Sequence, residues 1–229
     1  MKTVAQQQEE IIRWLEQIYE QVQRLLINDN LFWEFQKVVE SNDEFLKASG
    51  LFTEWIAASY SQSAIIGVRR QAKHDSDSIS LKGFLLAIES CPELVSRAHY
   101  MKLFDGKELF HKRIGEKDFD RVAGQGSEHI PVVLIQQQLD EIKQAVSSVE
   151  KHADRRIAHY DRRQPARPFP TFGDLTAAIK ALEKIVILYW RLLKGPSMST
   201  MLPTIMFDWK DIFRFVWEPP EAAGTQPLI

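Results

Sequence analysis

The stretch that decides the fold runs from Pro131 to Gln164 and reads PVVLIQQQLDEIKQAVSSVEKHADRRIAHYDRRQ. Ile135, Leu139, Ile142, Val146, Val149 and Ala153 recur at alternating steps of four and three residues. That spacing predicts a long helix carrying a narrow apolar seam. Gln164-Pro165-Ala166-Arg167-Pro168-Phe169-Pro170 follows, and its prolines forbid further helix because each lacks an amide donor and crowds the preceding turn.

Helical periodicity extends outward in both directions. Downstream, Thr171 or Asp174 is placed to cap a helix reaching Lys194, with Leu175, Ile179, Leu182, Val186, Tyr189 and Leu193 on one face and Gly195-Pro196 ending it. Trp209, Ile212, Phe213 and Val216 suggest one short terminal helix, and the chain from Pro219 reads as a frayed tail. Upstream, Gln6 to Leu26 carries a stripe at Ile11, Trp14, Leu15, Ile18, Val22, Leu25 and Leu26, capped by Thr3 and stopped at Asn28-Asp29-Asn30. Leu31 to Ala48 reads as a second helix with a break at Ser41-Asn42-Asp43, and Gly50 as its C-cap. Leu51 to Lys73 is a third, in which Ala57, Ala58 and Ser59 permit a close helix approach. Ser80 caps a short helix to Ser90, and Pro92 opens another to about Phe104. Residues 105–130 read as a loop excursion with one short helix at Lys117 to Ala123. No strand alternation stands out, which argues against a βαβ dinucleotide-binding fold. The expectation is an all-α bundle of about five long helices plus short ones. Its helical domain covers 1–195, with a C-terminal extension over 196–229.

Composition agrees with a globular chain: 229 residues, 45% apolar, 26% charged and a net charge of −2. That balance excludes a uniformly basic nucleic-acid binder and a disordered polyanion. A single cysteine, Cys91, excludes an intrachain disulfide and a multi-cysteine zinc site, and a buried inert thiol is favoured over a nucleophile. The longest apolar run, Ile185 to Trp190, is far short of the roughly 20 residues a membrane helix needs. MKTVAQQQEE has no apolar stretch behind Lys2, so no secretory signal and a cytoplasmic location are expected.

Charge is nevertheless unevenly spread. Residues 151–167 hold six Lys or Arg and two Asp, a local +4. Cations at a helix C-terminus complement the macrodipole, which accounts for arginines there but less well for histidines. On a helix His152, Arg155 or Arg156, and His159 share one face. Imidazoles beside guanidiniums suit a phosphodiester, because Arg binds the anion and His moves protons near neutral pH. A two-histidine metal site is opposed by the surrounding positive charge, and no metal or cofactor is expected. Arg69, Arg70, Lys73 and His74 form a second basic cluster, which helix-end charge or phosphate contact would explain. His99, His111 and His129 have no matched partners, and the tryptophans are expected to be core rather than stacking platforms.

Asp154-Arg155-Arg156-Ile157-Ala158-His159-Tyr160-Asp161 resembles the signature near the end of a long helix in HEPN domains, most closely the abortive-infection branch. The Trp-bearing helix ending in Arg69-Arg70, the polar loop and Ser80-Leu81 are similar to that branch as well, and the likeness covers most of residues 1–195. The resemblance implies an antiparallel HEPN-like bundle that forms a homodimer and engages RNA or a nucleotide. In a defence or toxin–antitoxin system it also implies an antitoxin protein as partner. Active members are metal-independent endoribonucleases using an Arg and a His separated by four to six residues. By that resemblance His159 is the general acid/base, with Asp154 orienting the histidine or the arginine; the basic residues Lys151, His152, Arg162, Arg163, Arg69 and Arg70 are the candidates to contact phosphate. The chain departs from the pattern at the arginine: the position expected to hold it is Ala153. Either Arg155 or Arg156 takes that role, or a residue from elsewhere does, or the chain is a non-catalytic dimeric module binding a nucleotide or a partner protein.

Overall fold

A computed structural model describes residues 2–152, 170–195, 198–204, 206 and 208–214. Its helices are α1 Val4–Glu40, α2 Asp43–Ala48, α3 Gly50–Ala72, α4 Leu81–Ser90, α5 Arg97–Lys102, α6 Leu109–Ala123, α7 Val132–His152 and α8 Phe172–Lys194. Short 3-10 turns occupy Pro92–Val95 and Trp209–Arg214. Among the described residues there is no strand, only an isolated antiparallel bridge between Ser96 and His129. The fold is an all-α helical bundle.

α1, α3, α7 and α8 form the body. α1 lies against α8 and α3, and α7 against α8, α3 and α4. Tyr60 meets Asp29, and Gln71 meets Gln21, so α3 runs antiparallel to α1. Tyr189 meets Gln138, and Lys184 meets Glu141, so α8 runs antiparallel to α7. The α7 seam faces inward: Ile135, Ile142, Val146 and Val149 are all buried within the single chain. Each such side chain contributes about 1.5–3 kcal/mol of burial. These four seam positions are therefore taken up by the core of the single chain.

Several boundaries differ from the sequence expectation, each for a tertiary reason. α1 does not stop at Asn28-Asp29-Asn30 but continues to Glu40. Aspartate normally weakens a helix by competing for nearby backbone. Here the Asp29 carboxylate is engaged by other helices, accepting from the Tyr60 hydroxyl at 2.5 Å and the Thr176 hydroxyl at 2.7 Å. Gly50 is not a C-cap; it opens α3, and Asn42 caps α2 by accepting from the Phe45 amide. The helix expected from Pro92 to Phe104 is split at Ser96, because Val95 and Arg97 pair with residues 128–130 instead (Arg97 N–H to Glu128 O, 2.8 Å; Ile130 N–H to Val95 O, 3.3 Å). α6 begins at Leu109 rather than Lys117. Gly115, which looked like a loop residue, lies inside it because the Phe104 ring rests there; a Cβ would fall 2.8 Å from the ring.

The caps at Thr3 and Ser80 are where the sequence placed them, and of Thr171 and Asp174 it is Thr171 that caps α8. Gly195, with φ +94°, follows α8. Beyond it the chain turns back onto the body. Met201 is buried, its carbonyl accepts from Gln23 at 2.8 Å, and its amide donates to buried Glu183 at 2.8 Å. Lys210 pairs with Glu34 at 3.0 Å, and Phe213 packs against Phe35 and Phe45.

Candidate nucleic-acid interface

α3 ends in a basic turn containing Arg69 and Arg70, and Lys73 is its extended C-cap. The loop that follows is folded on itself: Ser78 donates its amide to Asp75 O at 3.2 Å, and Asp77 to the Asp75 side chain at 3.4 Å. Buried Gln71 fixes this loop to the bundle. Its amide nitrogen donates to Gln21 at 2.8 Å, and its oxygen accepts from the Leu81 backbone at 3.0 Å. One side chain thus joins α1, α3 and the start of α4. His74 lies over the first turn of α4, where a Cβ on Gly83 would stand 3.0 Å from its Nδ1.

Arg69, Arg70, Lys73 and His74 line a cleft of about 660 Å³ with Asp75, Ser76 and Ser78. A neighbouring cleft of about 320 Å³ continues along the α1–α3 seam, lined by Arg24, Arg70, Asn28 and Ser63 among others. Arg24 adds a cation the sequence reading did not place. It stands mid-way along α1, where no helix end favours positive charge. Gly67 brings it there: a Cβ at that position would lie 2.5 Å from Leu25 Cδ2, so α1 and α3 approach closely at a glycine, while Ala57 packs against the core and Ala58 and Ser59 are exposed. That glycine was the available signal in the sequence.

Further along the same seam the lining turns aromatic. Phe32, Phe35, Phe52, Trp55, Tyr60 and Trp209 surround a groove of about 540 Å³. Trp55 is 64% exposed and stacks on Phe52 with ring centroids 6.0 Å apart, so it is a surface platform and not core. Trp33 is partly exposed as well and donates to the Thr176 hydroxyl at 2.8 Å. Burial, and then the adjacent Asp29 carboxylate, push the Tyr60 hydroxyl far above its ordinary value, so it remains a donor.

Arg69 and Arg70 therefore share one cleft with Lys73 and His74, and Arg70 shares the next with Arg24. Asp154, Arg155, Arg156, His159, Arg162 and Arg163 lie outside the described residues, and Lys151 and His152 form the last residues of α7. Because α8 is antiparallel to α7, that end of α7 is directed toward Phe172, which packs against Phe32 and Tyr60. Arg70 is ten residues along α3 from Tyr60, or about 15 Å at the helical rise.

Of the remaining histidines His99 and His129 have structural occupations, and His111 is exposed. His99 is hydrogen-bonded with Leu193 O at 3.1 Å and His129 with Ile130 O at 3.1 Å. Burial, then the neighbouring Glu93, push the Cys91 thiol up, away from thiolate reactivity. Among the described residues no group of three or more His, Cys, Asp or Glu is placed to hold a metal ion, and no helix is long and apolar enough to cross a membrane.

An all-helical bundle whose long α7 leads into the Ile157-Ala158-His159 stretch, beside an α3 ending in paired arginines, defines a protein of the HEPN class. The family model for AbiU2 matches residues 8–212, and the chain belongs to this abortive-infection-type HEPN family. The match passes the domain end expected at 195 and takes in most of the 3-10 turn that packs on α1. No curated protein and no solved structure matches the chain.

Proposed function

We propose that the protein engages RNA as part of a bacterial defence or toxin–antitoxin system, through the basic stretch of sequence at 151–163 and the basic end of α3. The observation that carries this reading is the meeting of Arg24, Arg70, Lys73 and His74 in adjoining clefts. Arg24 on α1 and Arg70 on α3 bring guanidiniums from two helices to adjoining clefts, which suits a phosphate backbone, and Arg24 has no helix end to explain it.

If RNA is cleaved, the ribose 2′-hydroxyl attacks the adjacent phosphate, with the O5′ bond breaking to leave a 2′,3′-cyclic phosphate. His159 exchanges the proton, and a nearby arginine stabilises charge developing on the phosphate oxygens. Asp154 orients the histidine or arginine. Ala153, at the position where the family pattern has arginine, favours a second reading: a dimeric module that binds a nucleotide or a partner protein without cutting RNA.

The test is fluorescence anisotropy with a labelled single-stranded RNA over a salt series. Changing Arg155, Arg156, Arg162 and Arg163 to Ala should weaken binding. It should also flatten log K against log salt by about 0.7 for each phosphate no longer neutralised. An affinity indifferent to salt and to all four substitutions would refute the reading.

A further inference from the structure

We infer that the α1–α3 seam is a track for single-stranded RNA, holding phosphates at Arg24 and Arg70 and stacking bases on Trp55. This rests on the RNA reading above and extends it to a surface outside the 151–163 stretch.

Three observations support the track. First, the clefts along the seam adjoin one another. The basic one shares Ile66 and Arg70 with the middle one, and the middle one shares Asn28 and Ser63 with the aromatic one. Second, the lining changes character in one direction, from guanidiniums through amide and hydroxyl groups to an exposed indole. Of the described residues lining these clefts, Asp75 alone is acidic, and it lies at the basic end. Single-strand sites combine these parts: a positive groove that follows the backbone, and aromatic faces that accept any base. Third, the dimensions agree. From Ala72, the last residue of α3, back to Trp55 is about 25 Å of helix, enough for about four to seven nucleotides. An apolar peptide would match the Trp55 end but leave Arg24 and Arg70 facing no anion.

The two ends should have separable signatures. The test uses full-length protein and a fluorescein-labelled single-stranded RNA of about twelve nucleotides, with affinity measured between about 50 and 200 mM salt. Trp55→Ala should weaken binding at least about fivefold with the salt slope unchanged, and Trp55→Phe should restore most of it, because stacking needs a ring and not an indole. Arg24→Ala with Arg70→Ala should weaken binding and flatten the slope by about 1.4. All three side chains are exposed, so the variants should fold, as circular dichroism would verify. RNA binding by wild type that none of these variants changes would overturn the track and leave the RNA reading standing. No binding by wild type at any salt would overturn both. A wild-type dimer that Trp55→Ala converts to monomer in light scattering would show that the seam holds a second copy of the chain, and would overturn the track.

Discussion

The Tyr60 hydroxyl on α3 donates to Asp29 Oδ1 on α1 at 2.5 Å, and the Thr176 hydroxyl on α8 donates to the same oxygen at 2.7 Å. Three helices of the body are thereby joined at one nearly buried carboxylate, 5% exposed. The contact also keeps α1 helical where its sequence favours a turn.

Asp29→Ala should accordingly destabilise the fold by about 3 kcal/mol, since hydrogen bonds to a charged group are worth roughly 1.5–3 kcal/mol each and two buried hydroxyls lose their acceptor. Tyr60→Phe, which leaves the Thr176 bond in place, should cost about half as much. Urea denaturation reads both, and equal effects would show that the network does not act through Asp29.

Gly67→Leu should cost about 3 kcal/mol or more, because even a Cβ would stand 2.5 Å from the nearly buried Leu25 side chain. The same variant should part α1 from α3 and reduce RNA affinity through Arg24 and Arg70. Stability near that of wild type would mean that the seam is loosely packed.

Glu183 secures residues 200–201 to α8. Burial acts to raise its carboxyl, but hydrogen bonds from Thr200, Lys180 and the Met201 amide outweigh it and leave it below the ordinary glutamate value. A lowered folded value gives stability that is present above the unfolded value near 4.5 and is lost as pH falls through the folded one. Glu183→Gln should reduce that acid dependence and speed amide exchange at Met201, measured by hydrogen–deuterium exchange. Unchanged exchange there would show that Gln23 and burial hold the segment without Glu183.

Alkali should act through the buried tyrosines. Burial, then Asp118, push the Tyr100 hydroxyl up to about 12, and burial raises Tyr60 and Tyr189 as well. Raised folded values give stability that is full below the unfolded value near 10 and is lost as pH rises through the folded ones. Ultraviolet titration should show these tyrosines ionising together with loss of helix above about pH 11. Their ionisation near pH 10 in a fully helical protein would contradict the burial.

Cleavage, if present, should survive EDTA and fall by about 10²–10⁴-fold in His159→Ala with helix content retained. His152→Ala should cost less unless His152 has replaced the arginine absent at Ala153, in which case the two effects would be similar and non-additive. Products are checked for 2′,3′-cyclic phosphate ends. Cleavage abolished by EDTA, or undiminished in His159→Ala, would sink this mechanism.

The sequence alone determined the helical character, the inward faces of α7, α8 and the first part of α1, and the family. Those depend on local periodicity and on short motifs: the four-three steps of α7, the capping residues Thr3, Ser80 and Thr171, and the residues around His159. It also marked Arg69 and Arg70, because adjacent charges at a helix end are visible in one dimension. Only the tertiary structure decided that α1 runs through Asn28-Asp29-Asn30, that Ser96 interrupts a helix, and that Arg24 joins Arg70. In each case the controlling partner is distant in sequence: Tyr60 and Thr176 for Asp29, residues 128–130 for Ser96, and Gly67 opposite Leu25 for Arg24. Local pattern reports what a segment prefers. Which preference prevails, and which side chains share a groove, is set by burial and hydrogen bonding between segments brought together only by folding.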